Sequence, residues 1–206
     1  MHKLVTRFVL PVILKRRPPR ILLISNGPAG FLDLAGLNVI SIHSGGGGPD
    51  DILHCDTARL PFQDHSFEII VMHHVLSDGH EPELGEAERI LVDDGELFVL
   101  GLGALGLRGR FANTQNGLPG LKIRQICARL RSRSFFIEHC AGFGLMGVRV
   151  SCYRRWQQPV LPFADTIVIH GRRRQNKPIL TPIRFSQPQG VGVQSAAIDS
   201  LSREAM

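Results

Sequence analysis

Between Phe67 and Gly101 two apolar runs flank a segment with helical periodicity, and few folds accommodate that order. Phe67 to Met72 is almost unbroken in apolar residues, as a strand covered on both faces requires. Glu81 to Leu91 spaces Leu84, Ala87, Ile90 and Leu91 at three- and four-residue intervals, with Glu83, Glu86 and Arg89 on the other side. This predicts an amphipathic helix whose early acidic residues suit the helix dipole. Asp93-Asp94-Gly95 predicts a tight turn with Gly95 at positive φ, and Glu96 to Leu100 a second buried strand. Strand, helix and strand form a βαβ unit, for which a right-handed crossover is expected.

The same logic recurs upstream. Arg20 to Ser25 reads as a buried strand, Asn26 to Gly30 as a glycine-containing turn, and the residues through Ala35 as a short apolar helix. Asn38 to Ile42 predicts a second strand, and Ile52 to His54 a short third one after the glycine-rich loop Ser44 to Pro49. Such repetition is that of a doubly wound α/β sheet. Downstream, Ile123 to Leu130 and Phe135 to Leu145 read as helices, and Gly147 to Arg154 and Asp165 to His170 as a late pair of strands. Residues 1–19 are expected to cap the sheet, 20–184 to form one domain, and 185–206 to be a disordered tail poor in large apolar side chains.

The chain has 206 residues, 43% hydrophobic and 20% charged, in keeping with one soluble domain. Leu97 to Leu107, its longest uncharged apolar stretch, is too short for the ~20 residues that span a bilayer. Arg7 and Pro11 interrupt the apolar N-terminus and no small-residue cleavage site follows, so no signal peptide is assigned. Four cysteines (Cys55, Cys127, Cys140, Cys152) lie far apart without a CxxC pair, which favours a reduced, cytoplasmic setting. Charge is uneven: residues 1–100 hold 8 Lys/Arg against 14 Asp/Glu, and residues 101–206 hold 16 against 4. A basic second half suits an anionic partner, nucleic acid included, through residues 108–177; the alternative is that these arginines solvate helix faces.

The Leu60-Pro61-Phe62 turn, Ser66-Phe67-Glu68 before a buried strand, His74-Val75-Leu76 after it, Glu88-Arg89-Ile90-Leu91 on a helix and Asp93-Asp94-Gly95 together resemble class I S-adenosylmethionine-dependent methyltransferases, in particular the methyltransferase type 11 group. The resemblance is strongest over residues 56–101 and implies a Rossmann-like, mostly parallel seven-stranded sheet with an antiparallel last strand. It implies S-adenosylmethionine as cofactor and a small molecule as the favoured methyl acceptor.

In such a sheet the ligand lies beyond the carboxyl ends of the strands, at the switch in strand order. Carried over position by position, the resemblance assigns cofactor contact to Ser25, Asn26, Gly27 and Gly30 in the glycine turn, His43 after the second strand, Asp56, Thr57 and Ala58 after the third, and Met72 and His73 after the fourth. Several positions depart from the family pattern. Leu23 stands where an acid is usual, Ser25 replaces the first glycine, Ala29 stands at the third, and His43 replaces the acid that grips the ribose. Asp56 keeps the acid that meets the adenine amino group. His74 is the candidate for proton handling, near Asp78 and His80. Zinc on Cys55, His73, His74 and His80 is not assigned, because these lack paired cysteines and HxxxH spacing. A catalytically silent fold used for binding or assembly remains the alternative.

Overall fold

A computed structural model describes residues 9–14, 19–26, 37–43, 53–76, 81–106, 120–145, 148–153 and 163–174. Residues 9–13 are helical (α1). There follow β1 (Ile21–Ser25), β2 (Val39–His43), β3 (Leu53–His54), β4 (Phe67–His73), α2 (Glu81–Ile90), β5 (Leu91–Leu102), α3 (Ile123–Ser132), β6 (Phe135–Leu145), β7 (Val148–Tyr153) and β8 (Thr166–Arg173). The strands form one sheet in the order β3-β2-β1-β4-β5-β8-β6-β7. Strands β1 to β5 are mutually parallel, whereas β8 runs antiparallel to both β5 and β6. The fold is therefore α/β and doubly wound, with its switch in strand order between β1 and β4.

The apolar runs became strands because both faces of the sheet are covered. Leu22, Ile24, Ile70, Met72, Leu97 and Val99 join one cluster with Leu84, Ala87 and Ile90 of α2 and Ile126, Cys127 and Leu130 of α3. Ile21, Ile69, Val71, Phe98 and Leu100 join the other, where Val9 and Ile13 of α1 are fully buried. Alternate residues thus feed opposite cores. Burying one such aliphatic side chain stabilises the fold by about 1.5–3 kcal/mol.

Four expectations need correction. Phe135 to Leu145 is a strand, not a helix. Its register slips between Ile137 and His139, so Phe135 and Ile137 face the α2–α3 core whereas Ala141 and Phe143 face the α1 core. A bulge of this kind erases the alternation by which a strand is recognised. Secondly, residues 148–153 and 166–173 are not partners: β8 inserts between β5 and β6, and β7 lies at the edge as an eighth strand. Thirdly, Asp93-Asp94-Gly95 lies within β5 as an irregularity of the β4–β5 register. Asp94, not Gly95, has positive φ (58°); Gly95 is needed because an added Cβ would meet Leu91 Cγ at 2.6 Å and Val92 O at 2.8 Å. Fourthly, Glu83 is buried (7% exposed), not on a solvated helix face.

The helix expected before Ala35, the Ser44–Pro49 loop and the tail after residue 184 lie outside the described residues.

Candidate active site

Parallel pairing aligns the carboxyl ends of the first four strands. Ser25 sits opposite His43 on β2 and His73 on β4, and His43 sits opposite His54 on β3. This register makes a transverse row, His54, His43, Ser25, His73, from residues up to 48 positions apart. Within it Ser25 Oγ and His73 Nδ1 share a buried hydrogen bond of 3.0 Å. Asn26 N–H donates to His73 O (2.9 Å) and His74 N–H to Leu100 O (2.9 Å), so ladder bonding continues past the last strand residues. His74 leaves the strand with φ 55°, and its ring lies 4.3 Å from that of His73. Burial pushes the His74 imidazole below its ordinary pKa, which keeps it neutral and able to accept a proton.

Beyond β3 the chain turns at Asp56. The carboxylate Oδ1 accepts from Ala58 N–H at 2.9 Å and the backbone carbonyl from Arg59 N–H at 3.0 Å. This is an Asx-type turn that fixes the side chain while leaving it exposed. Thr57 is buried, and Met72, only 1% exposed, packs its side chain into the α2–α3 core. Gly27 and Gly30 lie outside the described residues. The others assigned from the sequence gather at the same edge: Ser25, Asn26, His43 and Met72 to His74 at the strand tips, with Asp56 to Ala58 in the turn after β3.

Glu86 and Arg89 organise the loop that follows Asp56, a role hidden behind their placement on a helix face. Arg89 donates to Leu60 O (3.1 Å), Phe62 O (2.8 Å), Asp64 Oδ1 (2.6 Å) and Glu86 Oε2 (2.7 Å). Glu86 Oε2 in turn accepts from Leu60 N–H at 3.0 Å. Hydrogen bonds from Arg89 hold the Glu86 carboxyl below its ordinary pKa, against the opposing effect of burial. The loop repays α2 at its end: His65 and Ser66 N–H groups donate to Arg89 O and Ile90 O, two of the carbonyls a helix C-terminus leaves open. The sequence signal was the Glu-x-x-Arg spacing, since residues three apart share a helix face.

Four arginines of the basic second half meet acids of the first. Arg129 approaches Glu81 (3.9 Å), Arg133 Glu88 (3.8 Å), Arg172 Asp94 (4.0 Å) and Arg173 Asp93 (3.8 Å), each pair joining the arginine-rich half to the acidic one. Each exposed pair adds at most ~1 kcal/mol to stability. No helix among the described residues is long and apolar enough to cross a membrane.

Comparison with known proteins agrees with this fold. Residues 35–99 match a family model described as methyltransferase domain. A search of curated proteins returned no match. Among solved structures, an S-adenosylmethionine-dependent methyltransferase from Thermotoga maritima superposes with a TM-score of 0.56 at 18% identity, covering 83% of this chain and 92% of the other. A Burkholderia thailandensis 1,6-didemethyltoxoflavin-N1-methyltransferase, solved with bound 1,6-didemethyltoxoflavin and S-adenosylhomocysteine, superposes with a TM-score of 0.51 at 13% identity, covering 82% of this chain and 77% of the other. Geranyl diphosphate methyltransferase in complex with S-adenosylmethionine gives 0.58 at 9% identity, covering 82% and 84%. This chain therefore has a Rossmann-like methyltransferase fold, and its residues 35–99 are similar to a methyltransferase domain.

Proposed function

We propose that the protein transfers a methyl group from S-adenosylmethionine to a small molecule, using the crevice at the carboxyl ends of β1 to β4. The observation that carries this reading is Asp56: an acid held by its own turn, exposed, just after β3, with its loop clamped by Arg89 and Glu86. An exposed carboxylate fixed in this way fits the amino group of an adenine. Bound there, the cofactor would supply an electrophilic methyl on its sulfonium.

The chain's own contribution is alignment and proton handling. His43 stands in place of an acid, and an imidazole has at most one acceptor nitrogen for the ribose hydroxyls. Loss of a charged acceptor weakens binding by roughly 1.5–3 kcal/mol, or ten- to a hundredfold. His74, neutral and next to the strand tips, takes the acceptor's proton where the acceptor carries one. A small acceptor is favoured over RNA in that four arginines of the basic half, Arg129, Arg133, Arg172 and Arg173, already pair with acids.

Calorimetric titration with S-adenosylmethionine and S-adenosylhomocysteine tests the reading. Binding in the micromolar range is expected, abolished in Asp56→Ala and reduced in Asp56→Asn, which keeps the turn's acceptor oxygen but loses the charge. No heat at high micromolar ligand refutes it.

A second reading, a catalytically silent fold used for binding, is favoured by one feature: Ser25 Oγ is already engaged by His73 at the tip of β1. Tighter cofactor binding by His43→Asp, with no turnover in wild type or variant across a panel of acceptors, is the result that selects it.

A further inference from the structure

At the other end of the sheet, on its α1 face, a second cluster of ligating side chains belongs to no part of the crevice. His170 on β8 is 1% exposed and stacks on Phe98 at 4.4 Å with an interplanar angle of 3°. Neither of its ring nitrogens completes a hydrogen bond. Carboxylates stand off from both: Glu138 Oε2 lies 3.7 Å from Nδ1, and Glu96 Oε2 lies 3.5 Å from Nε2. A buried imidazole so placed is costly to leave without a partner. The β6 bulge supplies the neighbours: Ile137 pairs with Gly171 and His139 with His170, so Glu138 is the extra residue, and both Glu138 and His139 reach the same imidazole. The His139 and His170 rings are stacked 5.8 Å apart, within 8° of parallel. One ligand atom each from Glu138, His139 and His170 lies within 4.8 Å of the others.

We propose that Glu138, His139 and His170 bind a divalent transition-metal ion, zinc by preference, with Glu96 orienting His170 from behind. Two imidazoles and one carboxylate are a three-residue zinc set that leaves a fourth position for water. Ligands at about 2.0–2.2 Å in a tetrahedron sit roughly 3.3 Å apart, so these atoms need to close by about 1.5 Å at most. Glu96 on Nε2 then leaves Nδ1 to the ion, the carboxylate–histidine–metal arrangement that fixes tautomer and ring orientation. Arg172 Nη1, 3.6 Å from Glu138 Oε1, is the one neighbouring cation among the described residues that meets Glu138, and it occupies the oxygen turned away from His170. Glu138 is 29% exposed and gives the ion a way in from solvent. The ion ties β5, β8 and β6 together, three strands whose partners are distant in sequence.

The test uses untagged full-length protein stripped with chelator. Zinc titrated by calorimetry should bind one equivalent and raise the melting temperature, and cobalt should give the visible absorption of tetrahedral coordination. Glu96→Gln should weaken zinc by about 10- to 100-fold, and His139→Gln by more. Glu138→Gln, at the half-exposed ligand, serves where the histidine variant does not fold, and should also lose tetrahedral cobalt absorption. Absence of zinc heat and cobalt colour in the wild type overturns the proposal. So does undiminished binding in folded His139→Gln or Glu138→Gln, which would put the ion on the cysteines instead.

Discussion

Ser25 Oγ and His73 Nδ1 lie 3.0 Å apart across β1 and β4, at the point where the strand order reverses. Both residues are buried, so each satisfies the other where water does not reach. Ser25→Ala is expected to lower unfolding stability by about 1 kcal/mol, the usual contribution of one such bond. Urea denaturation measures this, and an unchanged midpoint would show that His73 has no need of the hydroxyl.

Arg89 supports the acid loop from four directions, so its removal should be felt in binding as well as in stability. Arg89→Ala is expected to reduce stability by about 1–2 kcal/mol, a figure kept low because the side chain is partly solvated. Cofactor affinity should fall with it, since the segment after Asp56 loses its clamp. Arg89→Lys should recover little, because an ammonium cannot span two carbonyls and two carboxylates as the guanidinium fork does. Recovery by lysine to wild-type binding would contradict the clamp.

The pH response of stability should carry a signature of His74. Burial lowers its pKa in the folded state below the ordinary value of 6.5. Between those two values the unfolded chain binds more protons than the folded one, so stability rises with pH. The full contribution is present above the unfolded pKa and is lost as pH falls through the folded value. His74→Asn suits the φ of 55°, which asparagine tolerates, and removes the titrating ring. Thermal melts between about pH 5.5 and pH 7.5 should therefore show a shallower slope for the variant. Parallel slopes would place the titration elsewhere.

Two glycines separate space from flexibility. A Cβ on Gly103 would stand 2.0 Å from the backbone oxygen of Ala164, which cannot yield without moving the start of β8. Gly103→Ala should destabilise by about 1–3 kcal/mol or more. A Cβ on Gly85, within α2, would meet only the end of the Arg133 side chain, at 3.0 Å. Gly85→Ala should stabilise by up to ~1 kcal/mol through helix propensity. Equal effects of the two substitutions on melting temperature would contradict the packing described at β5.

The sequence by itself determined the parallel half of the sheet. Runs such as Ile21–Ile24 and Phe67–Met72, and the Leu84, Ala87, Ile90 stripe, are periodic over a few residues, and burial of both sheet faces follows directly from them. Asp56 was assigned from the family resemblance, and the turn that fixes it is local, closed by Ala58 two residues on. Tertiary structure alone decided the antiparallel half. The bulge at Ile137–His139 moves the buried side of β6 from one face to the other, so no single period describes it, and a strand there reads as a helix. Insertion of β8 between β5 and β6, the pairing of Arg129 and Arg133 with α2, and the meeting of His170 with Glu96, Glu138 and His139 all depend on register between segments far apart in the chain. Register is set by which faces must be buried together, and local composition does not carry that information.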